Sequence, residues 1–327
     1  MSRKTRMLLA GDIGGTKTLL GLFEPQTPRP RPIAVRAFGT VDYHDLLTII
    51  AEFLEHDAAK GAEIASACFG VAGPVINEAA ELTNVPWKVD ARSVRERFKF
   101  GRVQLLNDLQ ALACSIPVLE DAEVHALQAG SPAEGNISLI AAGTGLGEGM
   151  LVHDDGRFIP IPSEGGHADF AARNKREIAL MVELTTRYGR ADVEHVLSGP
   201  GLVNIFRLTH DSACTAQIDA TQPDAPAAIS TAALARRCDA CALALEMFVD
   251  AYGAEAGNLA LRTVATGGVF IGGGIAPKIL PALANGAFMR AFRAKPPLEA
   301  MLAAMPVKVI LNSEAGLIGA AVFASRA

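Results

Sequence analysis

At 327 residues the chain is long enough for two domains, each with its own apolar core. Half of the residues are apolar and only 20% are charged, which excludes a disordered or low-complexity protein. No apolar run reaches the ~18–20 residues that span a bilayer, and a net charge of −5 without a basic block argues against nucleic acid as a partner. Asp12 cuts short the apolar run that follows Arg3, Lys4 and Arg6, so the first residues do not read as a signal peptide. Five scattered cysteines, an odd number, read as reduced thiols in a cytoplasmic protein.

Taken in order, the chain opens with Leu8–Phe23, two strand-like runs around a turn that carries Gly11, Asp12, Ile13, Gly14, Gly15 and Thr16. Gly14 and Gly15 are expected to take positive φ and expose amides that can hold an anion. Asp12 beside them can hold a cation or its water shell, and phosphate with magnesium is the natural pairing. An ordinary glycine-rich hairpin is the alternative. The near-match to a P-loop fails, because Thr16 stands where the second glycine belongs and strand residues follow instead of a helix. Lys17, catalytic in a P-loop, is here as well suited to solvent.

Pro25–Pro32 is a stiff turn, and Ile33–Thr40 a third strand. Asp45–Gly61 has apolar residues at helical spacing, with Gly61 as a cap, and Ser66–Val71 is a buried strand. Thr83–Trp87 is a polar turn holding the one tryptophan, expected to be a packing residue. A short helix (Val94–Phe98) precedes the strand Arg102–Leu106, which stops at Asn107-Asp108 before a helix from Leu109 to Ile116. Ligands of open α/β folds gather at the C-terminal ends of strands, and Asn107-Asp108 lies at one. The pair also suits a helix N-cap, and both readings can hold together. The helix dipole keeps such a carboxylate ionised, as a base accepting a proton from an attacking hydroxyl must be.

The strand Ile137–Ala142, the turn Gly143-Thr144-Gly145-Leu146-Gly147 and the strand Met150–His153 repeat the opening pattern. The glycine spacing does not complete a dinucleotide fingerprint, and a strand follows it. Ser163–Asp169 places Glu164 and His167 around two glycines in a loop; no cysteine lies between His167 and Cys214 to support a zinc site there. A helix (Lys175–Tyr188) closed by Gly189 leads to Asp192–Leu197, which holds Glu194 and His195, and Ser198-Gly199-Pro200-Gly201 opens a helix through His210. Asp211–Ser230 reads as a surface loop. Thr231–Tyr252 reads as one long alanine-rich helix that Ala254–Val264 continues. Cys238 and Cys241 then lie one turn apart on one face, and core packing is the expected role, since no second Cys or His pair sits at zinc-finger spacing. The strand Val269–Ile271 ends in Gly272-Gly273-Gly274, bare backbone against which a flat ring can lie. A late strand (Val307–Leu311) and an apolar helix (Glu314–Ala324) close the chain, the helix packing back on the first domain.

Three antiparallel strands, a helix and a parallel strand, occurring twice, suggest an α/β protein of two ribonuclease-H-like domains, actin/hexokinase-type, around an interdomain cleft. The expected division is 1–113, completed by 312–327, and 114–311. With G-D-I-G-G-T at Gly11–Thr16, G-T-G-L-G at Gly143–Gly147, G-G-G at Gly272–Gly274, L-N-D-L at Leu106–Leu109, S-E-G-G-H at Ser163–His167 and E-H-V-L-S-G-P-G-L at Glu194–Leu202, the chain resembles, essentially end to end, the bacterial ATP-dependent glucokinases of the hexokinase–actin superfamily. The resemblance implies that Asp108 is the general base for the sugar 6-hydroxyl. Asn107, Glu164, His167 and Glu194 would bind other hydroxyls, with Gly145 supplying backbone. Asp12 would face Mg²⁺ through water. Gly14, Gly15, Thr16 and Thr144 would hold the ATP phosphates, and Gly272–Gly274 the adenosine. It further implies a homodimer. The related repressor–kinase family has a zinc-binding cysteine cluster closely after its active-site histidine and an N-terminal DNA-binding helix pair. This chain shows neither pattern, which favours the zinc-free glucokinase branch. A kinase for mannose or an amino sugar, and a sugar-sensing protein without turnover, are the alternatives.

Overall fold

The fold is that of a computed structural model, which describes residues 6–56, 58–82, 85–131, 133–210 and 214–326. Thr83 and Asn84 of the expected polar turn, and residues 211–213 at the start of the expected surface loop, lie outside the described residues. The chain divides into two units, one of Met1–Glu120 with Asn312–Ala327 and the other of Asp121–Leu311.

Continuous apolar and small residues suit strands buried on both faces, and the opening stretch forms β1 (Met7–Ile13) and β2 (Lys17–Glu24). β3 (Arg31–Gly39) is more exposed, as an edge strand can be. α1 (Leu46–Glu55) starts where the Asp45 carboxylate accepts the Thr48 amide hydrogen at 2.8 Å, and it buries Leu46, Ile49, Ile50 and Phe53. It stops well before the expected Gly61 cap, because His56 is already extended; Gly61, at φ +75°, closes a later turn instead. After β4 (Ile64–Val71) come three strands too short to show a period of two, β5 (Val75–Ile76), β6 (Ala79–Glu81) and β7 (Lys88–Asp90). α2 (Ala91–Phe98), β8 (Arg102–Asn107) and α3 (Asp108–Ser115) follow. Trp87 is buried in the core, the packing role expected of it.

The second unit contains β9 (Val124–Gln128), β10 (Ile137–Ala142), β11 (Leu146–Asp154) and β12 (Arg157–Ser163), then α4 (Lys175–Tyr188), α5 (Gly199–Thr209), α6 (Ala225–Leu234) and α7 (Asp239–Thr263). β13 (Gly268–Gly272), α8 (Leu280–Leu283), α9 (Ala287–Arg293), α10 (Glu299–Ala304) and β14 (Val307–Ile310) complete it. The last helix, α11 (Ala315–Ser325), belongs to the first unit. Two expectations change here. α6 begins inside the expected loop, and the single helix expected from Thr231 is two helices. Arg236 takes φ +51° between them, and α7 restarts after Cys238. No Gly or Pro marks that break, so periodicity ran through it.

Each unit is built on a sheet of the same order. In the first, β3-β2-β1-β4-β8, the hairpin strands are antiparallel and β1, β4 and β8 parallel. In the second, β12-β11-β10-β13-β14 repeats that pattern and β9 adds an antiparallel edge. This is the doubled α/β architecture that the sequence suggested. α11 covers the first sheet where glycines allow it: a Cβ on Gly319 would collide with the carbonyl oxygen of Ala111 in α3, so any side chain there would push the two helices apart.

Candidate active site

In the first unit the registers Asp12↔Leu19 and Ile13↔Thr18 leave Gly14, Gly15 and Thr16 as the turn. The Gly14 amide donates to the Lys17 carbonyl at 3.0 Å and closes it. Contrary to expectation, neither Gly14 nor Gly15 has positive φ. The tip needs glycine for proximity: a Cβ on Gly14 would lie 3.0 Å from the Lys17 oxygen. Gly11 is needed for packing, since its Cβ would lie 2.5 Å from a ring carbon of Phe69. Ile13 is fully buried and its side chain belongs to the core.

Thr40, which sequence reading passed over, braces the tip from beneath. Its amide donates to the Thr16 carbonyl at 3.0 Å, its hydroxyl donates to the Gly14 carbonyl at 2.8 Å, and the Thr18 hydroxyl lies 2.9 Å away. Asp12, at the end of β1, sits against the first turn of α11, where a Cβ on Gly316 would be 2.9 Å from its Oδ2. Burial pushes its carboxyl above the usual range, and the charge of Lys17 partly opposes this. Lys17 itself is exposed.

At the end of β8, Asn107 caps α3 in a capping box. Its Oδ1 accepts the Leu109 amide hydrogen at 2.9 Å, its own amide donates to Gln110 Oε1 at 3.1 Å, and its Nδ2 donates to the Gly73 carbonyl at 3.2 Å. Asp108 is therefore the first residue of the helix, with Oδ1 accepting the Leu109 amide hydrogen at 2.9 Å. The cap reading of this pair and the ligand reading remain compatible. Gly70 permits the arrangement, for its Cβ would lie 2.7 Å from that of Ala111.

In the second unit the turn between β10 and β11 is held differently. The Gly143 amide donates to the Gly145 carbonyl, and the Gly199 amide, first in α5, donates to the Gly143 carbonyl, both at 2.8 Å. Glu194 reaches back under the turn, where its Oε2 accepts the Leu146 amide hydrogen at 2.8 Å. A Cβ on Gly145 would lie 2.5 Å from that oxygen. The Ser198 hydroxyl donates to the Glu194 carbonyl at 2.8 Å and caps α5 by accepting the Gly201 amide hydrogen at 3.0 Å. The structure thus brings Gly143, Gly145 and Glu194 together, and the Glu194 amide joins them to the Gly166 carbonyl of the Glu164–His167 loop at 2.9 Å.

Glu164 and His167 are exposed on that loop. Asp192, which the sequence did not single out, lies between two histidines: Oδ2 is 3.6 Å from His167 Nδ1 and Oδ1 is 3.0 Å from His195 Nδ1. An acidic residue two positions before Glu194 was the available signal. Beneath the loop, Glu148 is 1% exposed with Oε1 unpaired. Burial, with the neighbouring carboxylate of Glu255, pushes it up to about 7 against the opposing charge of Arg262.

A cavity of about 730 Å³ opens beside the turn, a size suited to a nucleotide-sized ligand. Gly143, Thr144 and Gly274 line it, and Val203, Pro226 and Ile279 add apolar walls that periodicity could not assign to a pocket. Gly272 and Gly273 lie just behind. Gly273 has φ +82°, and a Cβ there would strike the Ala142 carbonyl. Buried Tyr252 steadies the same strand end by accepting the Ala142 amide hydrogen at 3.2 Å.

The expectation of simple core packing for Cys238 and Cys241 is incomplete. Both are buried, but Cys214 and His210 converge on them, brought close by the break between α6 and α7.

A family model described as Glucokinase matches residues 9–327. The chain is 41% identical over 340 residues to a glucokinase of Nostoc punctiforme, covering 98% of this chain and 99% of that one. It is 33% identical over 318 residues to a glucokinase of Escherichia coli, covering 96% of each. A crystal structure of glucokinase from an Antarctic psychrotroph superposes with a TM-score of 0.86 at 28% identity, covering 98% of this chain and 99% of that one.

Proposed function

The chain belongs to the glucokinase family, and from that premise we infer that it transfers the γ-phosphoryl group of ATP to the 6-hydroxyl of glucose, with Asp108 as the general base. The observation that carries the base assignment is the seat of Asp108 at the first position of α3, after a strand end. The helix dipole favours its ionised form, and an oriented carboxylate there can take the hydroxyl proton as the oxygen attacks phosphorus. Phosphoryl transfer asks mostly for positioning and charge stabilisation. The backbone of Gly14, Gly15 and Thr16 and the Thr144 turn are assigned to the phosphates, and the cavity edged by Gly274 to the adenosine.

Asp12 suits a hydrated Mg²⁺, because a carboxyl whose burial disfavours its charge gains most from a nearby cation. The ion, when bound with ATP, supplies neutralisation of the charge on the phosphates. Asn107, Glu164, His167 and Glu194 are assigned to the sugar hydroxyls, with Asp192 Oδ2 3.6 Å from the Nδ1 edge of His167. A site that hydrogen-bonds particular hydroxyls rejects an epimer, whose missing partner leaves buried polar groups unpaired. No described helix is long and apolar enough to cross a membrane. Cytoplasmic location and a homodimer complete the reading, the dimer to be checked by light scattering.

The test is a coupled assay with glucose and Mg-ATP, on the native chain and on Asp108→Asn. The variant should lose about 10²–10⁴-fold in kcat with little change in the glucose KM. Native-like turnover by Asp108→Asn would overturn the base assignment. Relative turnover across a panel of hexoses tests the sugar.

A further inference from the structure

The second unit carries a polar cluster that phosphoryl transfer does not use. His210 follows the last residue of α5, Cys238 is the N-cap of α7, Cys241 lies in the first turn of α7, and Cys214 belongs to the intervening segment. One ligand atom from each falls within 4.8 Å of all the others. Cys214 Sγ is 3.7 Å from Cys238 Sγ and 3.8 Å from Cys241 Sγ, and His210 Nε2 is 3.5 Å and 3.9 Å from the same two sulfurs.

These separations have a simple meaning. Four ligands at the corners of a tetrahedron around zinc, with Zn–S of about 2.3 Å and Zn–N of about 2.05 Å, stand about 3.8 Å apart for S···S and about 3.6 Å for S···N. A disulfide would instead bring two sulfurs to about 2.05 Å and leave the third outside. Here three sulfurs and one nitrogen converge on a common centre.

The surroundings are prepared for a metal as well. His210 Nδ1 lies 2.8 Å from the Phe206 carbonyl. That contact puts the ring proton on Nδ1 and turns the Nε2 lone pair toward the sulfurs, the outer-shell arrangement of metal-bound histidines. The N-terminus of the 25-residue α7 favours negative charge where both thiolates would stand. The Thr209 hydroxyl donates to the Ala240 carbonyl and the Thr215 hydroxyl to the Arg237 carbonyl, both at 3.1 Å, tying the two segments together around the cluster.

We propose that His210, Cys214, Cys238 and Cys241 bind one zinc ion in a closed tetrahedral site that pins the C-terminal end of α5 to the N-terminal end of α7. Four protein ligands leave no open position, so the ion is structural. Three thiolates and an imidazole select zinc over the harder cations that serve phosphates. The site differs in sequence position from the cysteine cluster of the repressor–kinase family, which follows the active-site histidine closely. Here the ligands begin at the far end of the helix that Glu194 and Ser198 introduce. Because α5 also lines the nucleotide-sized cavity, the ion would hold one of its walls.

The experiment is metal analysis of freshly purified native protein, prepared without chelators, beside Cys214→Ser and His210→Ala. About one zinc per native chain is expected, with the variants losing most of it. The reduced, metal-free native protein titrated with Co²⁺ should develop the d–d bands of a tetrahedral site and a thiolate charge-transfer band. Cys214→Ser should keep native-like kcat for glucose while its Tm falls by several degrees. Zinc below about 0.1 per native chain together with a featureless cobalt spectrum would overturn the proposal. So would a disulfide between two of these cysteines in fresh native protein. Both decisive readings come from the native chain and do not depend on a variant that folds.

Discussion

The two sheets share one strand order, yet they hold their glycine hairpins by different means. The first tip rests on one uncharged residue, Thr40, whose hydroxyl bonds the Gly14 carbonyl and touches Thr18 and whose amide bonds the Thr16 carbonyl. The second is tied to an amide at a helix N-terminus and to the Glu194 carboxylate. A common topology therefore fixes where a hairpin falls, while residues outside it add bracing that differs between the two. The difference has a functional edge. The brace of the second turn is also assigned to the sugar, whereas Thr40 has no role toward a ligand. Damage to the second brace should reach glucose, and damage to the first should reach ATP alone.

The sharpest way to break this comparison is Glu194→Ala. It removes a proposed glucose contact and leaves the Leu146 amide without its acceptor, so kcat/KM for glucose should fall by about 10²-fold or more. The same variant should also raise the KM for ATP, because the turn that carries Thr144 loses its support. Steady-state kinetics with each substrate varied in turn checks both effects. A change confined to glucose would mean that the carboxylate is a ligand and no brace.

Thr40→Val keeps the shape and deletes the hydroxyl. Leaving the half-buried Gly14 carbonyl with one partner fewer should cost about 1 kcal/mol in denaturant titrations. The KM for Mg-ATP should rise about tenfold at most, with the glucose KM at saturating ATP unchanged. Equal effects on both substrates would sink the division drawn here.

A third test, which touches stability and neither substrate, concerns the buried carboxylate of the second hairpin. Glu148 titrates near 4.5 when unfolded and at about 7 in the fold. Between these values the native state holds a proton that the unfolded state has released. Its contribution to stability is therefore complete below about 4.5 and is lost as pH rises to about 7. Glu148→Gln should flatten the dependence of Tm on pH across that window and raise Tm at pH 8. An unchanged pH profile would show that Glu148 is not the group responsible.

Much of this was legible in the sequence because the signals were local. The opening turn, the junction of β8 with α3 and the triple glycine each announce themselves within a few residues. What escaped notice was made in space. Thr40 reaches the first tip from the end of β3, and Glu194 meets Gly145 only because α5 starts beside the second turn. Asp192 gains meaning from two histidines around it. The misread helix from Thr231 shows the limit of periodicity, since nothing in Ala-Arg-Arg-Cys-Asp forbids a helix. That break is what lets Cys238 meet Cys214, so the error in secondary structure and the missed cluster have one cause.

α11 carries a last consequence. It is made after every other element of the chain, yet it covers Leu8, Ala10 and Cys68 of the first sheet with Leu317, Ala320 and Ala321. During synthesis on the ribosome that apolar surface lacks α11 while the whole second unit is translated. Domains made first ordinarily fold first. Here α3 supplies Ala111 and Cys114 to that face early, and α11 completes its cover only at the end.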